Sequence, residues 1–381
     1  MNSQSRNDFP AQDATTKNSV VIPPGSMNGA DVERARDAHT RQGDRRLTVV
    51  VGLWLLAVLI VAAVVVVRAH SPQPFSTAAA TNTGATGSGP AATEGTPLRS
   101  RLYVDPNSQA ATWVRGHQGS STANRIEKSI ADQPTGKWFG PWSGDIRSAV
   151  STYVSDAAAR GRTPVLVAYN LPHRDCGGQS AGGAASSQEY AQWIDDFAAG
   201  IDGRPAIVIL EPDALAMLDK CLTPSQQHQR LVMLSQAVDT LHSKSVQVYL
   251  DAGHSGWVPA DAMAQRLKAA NIAKAHGFSL NVSNFDPTDA ETAYAQQVNQ
   301  ALGMSKSVVI DTSRNGNGSA GGQWCNPAGR KLGQAPQQLA GKVKLLWVKA
   351  PGESDGNCGA ATGTTAGQFS PQLAGQLIAG S

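Results

Sequence analysis

The sequence predicts an α/β fold, a distorted seven-stranded parallel (β/α) barrel of the TIM-barrel kind, on three observations. First, seven short runs of apolar and β-branched residues recur after residue 100: RLYVD (101–105), PVLVAYN (164–170), PAIVILE (205–211), VQVYLD (246–251), GFSLN (277–281), SVVID (307–311) and LLWVK (345–349). They are apolar almost throughout, as strands covered on both faces must be. Second, helix-type segments such as SSQEYAQWIDDFAAGI and SQQHQRLVMLSQAVDTLHSK lie between them. Strands and helices alternating at about thirty to forty residues imply parallel βαβ units. Third, every run ends on a polar residue: Asp105, Asn170, Glu211, Asp251, Asn281, Asp311 and Lys349. In an α/β barrel the carboxyl ends of all strands converge on one face, where chemistry sits. An open doubly wound sheet suits the same strands. However, no Gly-rich phosphate loop follows the first run, which argues against a nucleotide-binding domain.

The segments ahead of the barrel follow in order. Residues 1–46 are polar with mixed charges and little periodicity, the composition of a disordered tail. Residues 47–67, LTVVVGLWLLAVLIVAAVVVV, carry no charge and are long enough to cross a bilayer as a helix. A signal-peptide apolar core is shorter, about 7–15 residues. Arg41, Arg45 and Arg46 precede the run and only Arg68 follows closely. The positive-inside rule therefore puts the tail in the cytoplasm and the rest outside. The expectation is a single-pass cell-membrane protein with an extracytoplasmic domain, or one released by cleavage after the helix. Residues 68–100, rich in Ala, Thr, Gly and Pro, make a flexible spacer, and the folded domain is expected over 101–381. A net charge of +3 without a basic block gives no sign of a nucleic-acid partner.

All four cysteines, Cys176, Cys221, Cys325 and Cys358, follow the apolar run. In an oxidising compartment an even number suggests two disulfides, with three pairings open. Metal binding is the weaker reading, because no C-x-x-C or clustered His spacing occurs.

The loops after the strands concentrate charge. Asn170 leads into LPHRDCGGQSAGG with Arg174 and Asp175, and Glu211 into Pro212 and Asp213. Asp251 leads into AGHSGW with His254 and Trp257, and Lys349 into APGESDGNCGA with Glu353 and Asp355. Burying neighbouring carboxylates is costly. Taken alone, Pro212 keeps Glu211 out of the helical region and Asp213 caps a short helix over 214–218. Together, so many carboxylates suit either a hard cation or acid/base work. Arg174 and Lys349 are interleaved, and Trp138, Trp257 and Trp324 sit in neighbouring loops, which fits stacking on sugar rings better than a metal. Glycoside hydrolysis needs one protonated and one ionised carboxyl, and nearby negative charges keep the acid protonated.

VAYNLPHRDC and VILEPDAL resemble the two signature motifs of glycoside hydrolase family 6, the cellulases. DAGHSGW, DTSRNGNG, WCNP and WVKAPGESDG are similar to further blocks of that family in the same order, so the resemblance covers essentially residues 100–381. It implies an inverting endo-β-1,4-glucanase without cofactor or metal. Asp213 matches the general acid, Asp175 the aspartate that keeps it protonated, and Asp355 the base. Tyr169 matches a tyrosine under the sugar at the cleavage point. Trp138, His254, Trp257, Asn281, Trp324, Lys349 and Glu353 match sugar-binding positions, with Trp142 in TGKWFGPW competing with Trp138. The family's pairing implies disulfides Cys176–Cys221 and Cys325–Cys358. The segments 311–324 and 326–349 are compact, which favours an open cleft and internal cutting. Exo-cutting of the cellobiohydrolase type and a non-catalytic β-glucan-binding domain are the alternatives. The partner is a β-1,4-glucan, and a monomer is expected.

Overall fold

One curled sheet of nine strands organises residues 95–381, the part of the chain that the computed structural model describes. The predicted tail (1–46), the predicted membrane helix (47–67) and most of the spacer lie outside the described residues. The strands are β1 (Thr96–Pro97), β2 (Lys137–Phe139), β3 (Val165–Ala168), β4 (Ala206–Leu210), β5 (Val246–Asp251), β6 (Gly277–Leu280), β7 (Ser307–Asp311), β8 (Gln337–Gln338) and β9 (Val343–Leu346). Their order across the sheet is β1-β8-β9-β7-β6-β5-β4-β3-β2. The run from β2 through β7 to β9 is parallel throughout, whereas β8 pairs antiparallel with β9 and β1 with β8.

This corrects the expected seven-stranded parallel barrel. The sheet is mixed, and no ladder joins β2 to β9. Its two sides meet beyond the strands, at a single parallel bridge between Thr135 and Trp347. RLYVD is not a strand either, since Leu102 makes only an isolated bridge to Thr163. Leu102 and Tyr103 are buried all the same, so the pattern recorded burial and not sheet pairing. Thr96–Pro97 already belongs to the sheet, so ordered structure starts ahead of Arg101.

Helices cover the outside: α1 (Gln109–Gly116), α2 (Ser121–Ile126), α3 (Ile146–Ala159), α4 (Ser187–Ile201), α5 (Pro224–Leu241), α6 (Ala260–Ala269), α7 (Thr288–Leu302) and α8 (Pro371–Ala379). Their starts are written in the sequence. Ser186 caps α4 by accepting from Glu189 N–H. Thr223 and Gln226 form a reciprocal capping box at α5, with Pro224 in the first turn. Among the described residues no helix is long and apolar enough to cross a membrane.

Strand side chains alternate between two cores, as a period of two requires. Val165, Val167, Ile207, Ile209, Tyr249 and Val309 point inward to one cluster. Leu166, Ala168, Val208, Leu210, Val248 and Leu250 point outward against the helices. A third, smaller cluster joins α1, α2 and α8. This part of the chain is a compact unit in its own right.

Candidate active site

The strand-end carboxylates divide into two kinds, and the division begins at Glu211. It is 1% exposed, and its oxygens accept the N–H of Asn170 at 2.9 and 3.1 Å and of Leu171 at 3.0 Å. A residue at the end of β4 thus pins the loop that follows β3. Asp251, at the end of β5, does the same one strand along. Its Oδ1 accepts the N–H of Asp213 at 2.9 Å and of Gly253 at 3.0 Å, while Ser279 donates to Oδ2 at 3.0 Å. Asp311, at the end of β7, accepts the N–H of Ser283, Ser313, Val348 and Lys349. These three buried carboxylates latch the loops to one another. Arg230 of α5 adds a fourth tie, donating to the carbonyls of Ala214, Pro172 and His173.

Asp213, held by its own N–H, presents its carboxyl to a cleft of about 1420 Å³ at the carboxyl ends of the strands. Asp175, Asp355, Tyr169, Trp138, His254, Trp257, Trp324, Lys349 and Glu353 line the same cleft. The geometry is bought with backbone strain: Asp175, Glu211 and Asp213 have φ of 56°, 52° and 69°, a left-handed region that non-glycine residues seldom occupy and that clusters at functional sites. Glu211 leaves the right-handed helical region as Pro212 suggested. Residues 214–218 form turns and not the short helix expected there, so Asp213 caps no helix.

Burial raises the Asp213 pKa to about 8, with the charges of Asp251 and then Asp175 adding to it. Asp175 sits in a single turn of 3₁₀ helix, where its Oδ2 accepts Ser180 N–H at 2.7 Å. Tyr169 is pushed well above the ordinary phenol range by burial, then by Asp213 and Asp175, so it faces the site as a neutral hydroxyl. Asp355 has the opposite surroundings. Arg314 Nη1 donates to its two oxygens at 3.0 and 2.8 Å, Asn326 N–H donates at 3.0 Å, and Lys349 Nζ lies 3.8 Å away. One aspartate therefore stands among acids and the other among cations.

The aromatic residues form a path. Trp142 and Trp324 are 58% and 51% exposed and both line the cleft, an unusual position for large apolar rings unless a ligand covers them. Trp138 lies deeper, donating Nε1–H to Val348 O and meeting Tyr169 edge-on at 5.2 Å. Trp138 and Trp142 thus both line the cleft at different depths. His254 pairs with Asp286 at 3.0 Å. Burial opposes its charge, but the Asp286 hydrogen bond and the charges of Asp286, Glu291 and Asp213 outweigh burial and raise its pKa.

Asn281 is the expected residue that the structure does not bring to the cleft. It is fully buried, and its amide is spent on the backbone of Asp286 and Asp311. Arg314 is the residue the sequence reading passed over. It stands in DTSRNGNG, three residues past the strand-end Asp311, and that offset was its only signal. The disulfides are Cys176–Cys221 and Cys325–Cys358, as the resemblance implied. The first ties the residue after Asp175 to the loop after Asp213, and the second ties the residue after Trp324 to the loop after Asp355.

Comparison with known proteins gives the family. The model of the family "Glycosyl hydrolases family 6" matches residues 98–381. The chain is 48% identical over 296 residues to Endoglucanase 1 of Streptomyces halstedii, covering 76% of this chain and 92% of that one. It is 46% identical over 281 residues to Endoglucanase A of Cellulomonas fimi, covering 72% of this chain and 60% of the relative. Among solved structures it is similar to the endoglucanase Cel6 from Mycobacterium tuberculosis, in complex with methyl-cellobiosyl-4-deoxy-4-thio-β-D-cellobioside. The TM-score is 0.69 at 42% identity, covering 74% of this chain and 97% of the other.

Proposed function

This chain belongs to the glycosyl hydrolases family 6, and from that premise we propose that it is an endo-β-1,4-glucanase that cuts cellulose or a related β-glucan with inversion. The observation that carries the reading is the contrast between Asp213 and Asp355 in one cleft. Asp213, protonated by burial and acidic neighbours, gives its proton to the leaving glycosidic oxygen. Asp355, aligned by Arg314 and Asn326, takes the proton of the water that attacks the opposite face of the sugar. Inversion needs room for that water, roughly 6.5–9.5 Å between the two carboxyls. Asp175 supplies the negative charge that keeps the acid loaded, and Tyr169 supports the ring at the cleavage point.

Trp138, Trp142, Trp257 and Trp324 provide apolar faces for successive glucose rings, with His254, Lys349 and Glu353 bonding hydroxyls. The relatives named endoglucanases and the thio-oligosaccharide complex of the M. tuberculosis enzyme support this substrate class. Asn281 acts one layer back, by shaping the loop that carries Asp286. We also propose, from the sequence alone, that residues 47–67 anchor the enzyme in the cell membrane with the catalytic unit outside, working as a monomer.

The test is a soluble β-1,4-glucan assay that follows viscosity and reducing ends together. Internal cutting drops viscosity early, before many reducing ends appear. Asp213→Asn loses about 10²–10⁴-fold of the rate while still binding oligosaccharide. Reducing ends rising at constant viscosity would refute internal cutting, and full turnover by the variant would refute the acid.

A further inference from the structure

Charge in this molecule is sorted by face. The cleft at the carboxyl ends of the strands is lined by seven Asp or Glu against four Lys or Arg. The opposite face is built from residues 99–101 and the six segments that lead into β3–β7 and β9: 160–164, 202–205, 242–245, 270–276, 303–306 and 340–344. These segments hold ten Arg or Lys against one Asp, Asp202. For a chain whose net charge is only +3, that is a strongly one-sided distribution.

Two shallow hollows open there. One, of about 410 Å³, is lined by Lys274, His276, Lys306 and Lys342, and the other, of about 750 Å³, by Arg99, Arg160 and Arg162 with Asp132, from the segment ahead of β2, as its one acid. Most of these cations lean on neutral groups. Lys306 Nζ donates to the carbonyls of Ala273 and Ala275, Lys342 Nζ to Ser305 O, and Arg160 to Asp156 O. Acidic partners reach only Lys274, from Asp239 at 2.7 Å, and Arg99, from Asp132 at 3.8 Å. The crowding is felt locally: His276 is pushed down by burial and then by Lys344, Lys306 and Lys342.

We infer that this basic face is a docking surface for an anionic lipid bilayer, which it meets while the cleft points away. Charge complementarity is one ground, since anionic headgroups attract clustered Lys and Arg within about a Debye length. The course of the chain is the other. It reaches the sheet at Thr96–Pro97, beside Arg99 and Arg101 on this face, and the apolar run 47–67 lies fewer than thirty residues upstream. This second ground rests on the proposed membrane anchor; the charge complementarity stands without it.

The inference stands apart from the hydrolase reading and is tested separately. Residues 95–381, the self-contained unit without the apolar run, are sedimented with vesicles of phosphatidylcholine alone or mixed with phosphatidylglycerol. The expected result is binding to the mixed vesicles only, weakening as salt rises. The variant Arg160→Gln/Arg162→Gln/Lys274→Gln/Lys342→Gln is expected to bind about tenfold or more weaker while hydrolysing soluble cello-oligosaccharides like the wild type. Equal binding to both vesicles, no binding, indifference to salt, or an unchanged variant would overturn the inference. Binding to a soluble anionic polymer but not to vesicles would do the same, assigning the face to another partner.

Discussion

Asp213 takes its proton affinity from its surroundings, and the largest neighbouring charge is Asp251, which also fixes its backbone. Two consequences follow. In the proposed mechanism the acid is loaded below about pH 8, so activity is expected to fall as pH rises through that value. In Asp251→Asn the acid feels one negative charge fewer, so the alkaline limb of the kcat–pH profile moves to lower pH. A profile that merely scales down without moving would mean Asp251 acts by structure alone. The carboxylate pattern pointed to a cluster of acids, because the ends of parallel strands converge, and the family resemblance singled out Asp213, Asp175 and Asp355 within it. Asn281 was expected at the cleft for the same reason and lies outside it, since a strand-end polar group can be satisfied inward as readily as aimed at a ligand. Arg314 was illegible because a loop arginine is ordinary until its carboxylate partner, 41 residues away, is placed beside it.

At the level of elements, the site rests on latches between consecutive loops. Glu211 holds two backbone N–H groups of the loop after β3, and burial raises its pKa from 4.5 to about 7 despite those bonds. Glu211→Leu leaves both donors buried without a partner, at about 1–3 kcal/mol each, whereas Glu211→Gln keeps an accepting oxygen and costs less. Chemical denaturation would measure both, and equal losses would refute the latch. Long apolar strands such as AIVIL (206–210) and VQVYLD (246–251) were readable from pattern. β2 was not, being three residues, KWF, between Gly136 and Gly140. β1 and β8 are two-residue strands, TP and QQ, too short to leave a periodic trace.

For the whole molecule, several acids are more protonated folded than unfolded. Glu211 and Asp213 are raised to about 7 and about 8, and Asp251 and Asp311 are also raised, in each case by burial first. An acid with a raised folded pKa stabilises fully below its unfolded value, about 4, and loses that contribution as pH climbs through the folded value. The melting temperature is therefore expected to be lower at pH 8 than at pH 5, and a flat or rising profile would show these groups to be ionised at little cost. Asp213 and Asp355 share one cleft of opposed electrostatic character, which makes the stereochemistry of the product the most direct check. Proton NMR during the first minutes of cello-oligosaccharide hydrolysis reads the new reducing end before it mutarotates. The α-anomer appearing first is the predicted result, and a newly formed β-anomer would contradict an acid and a base acting across an intervening water.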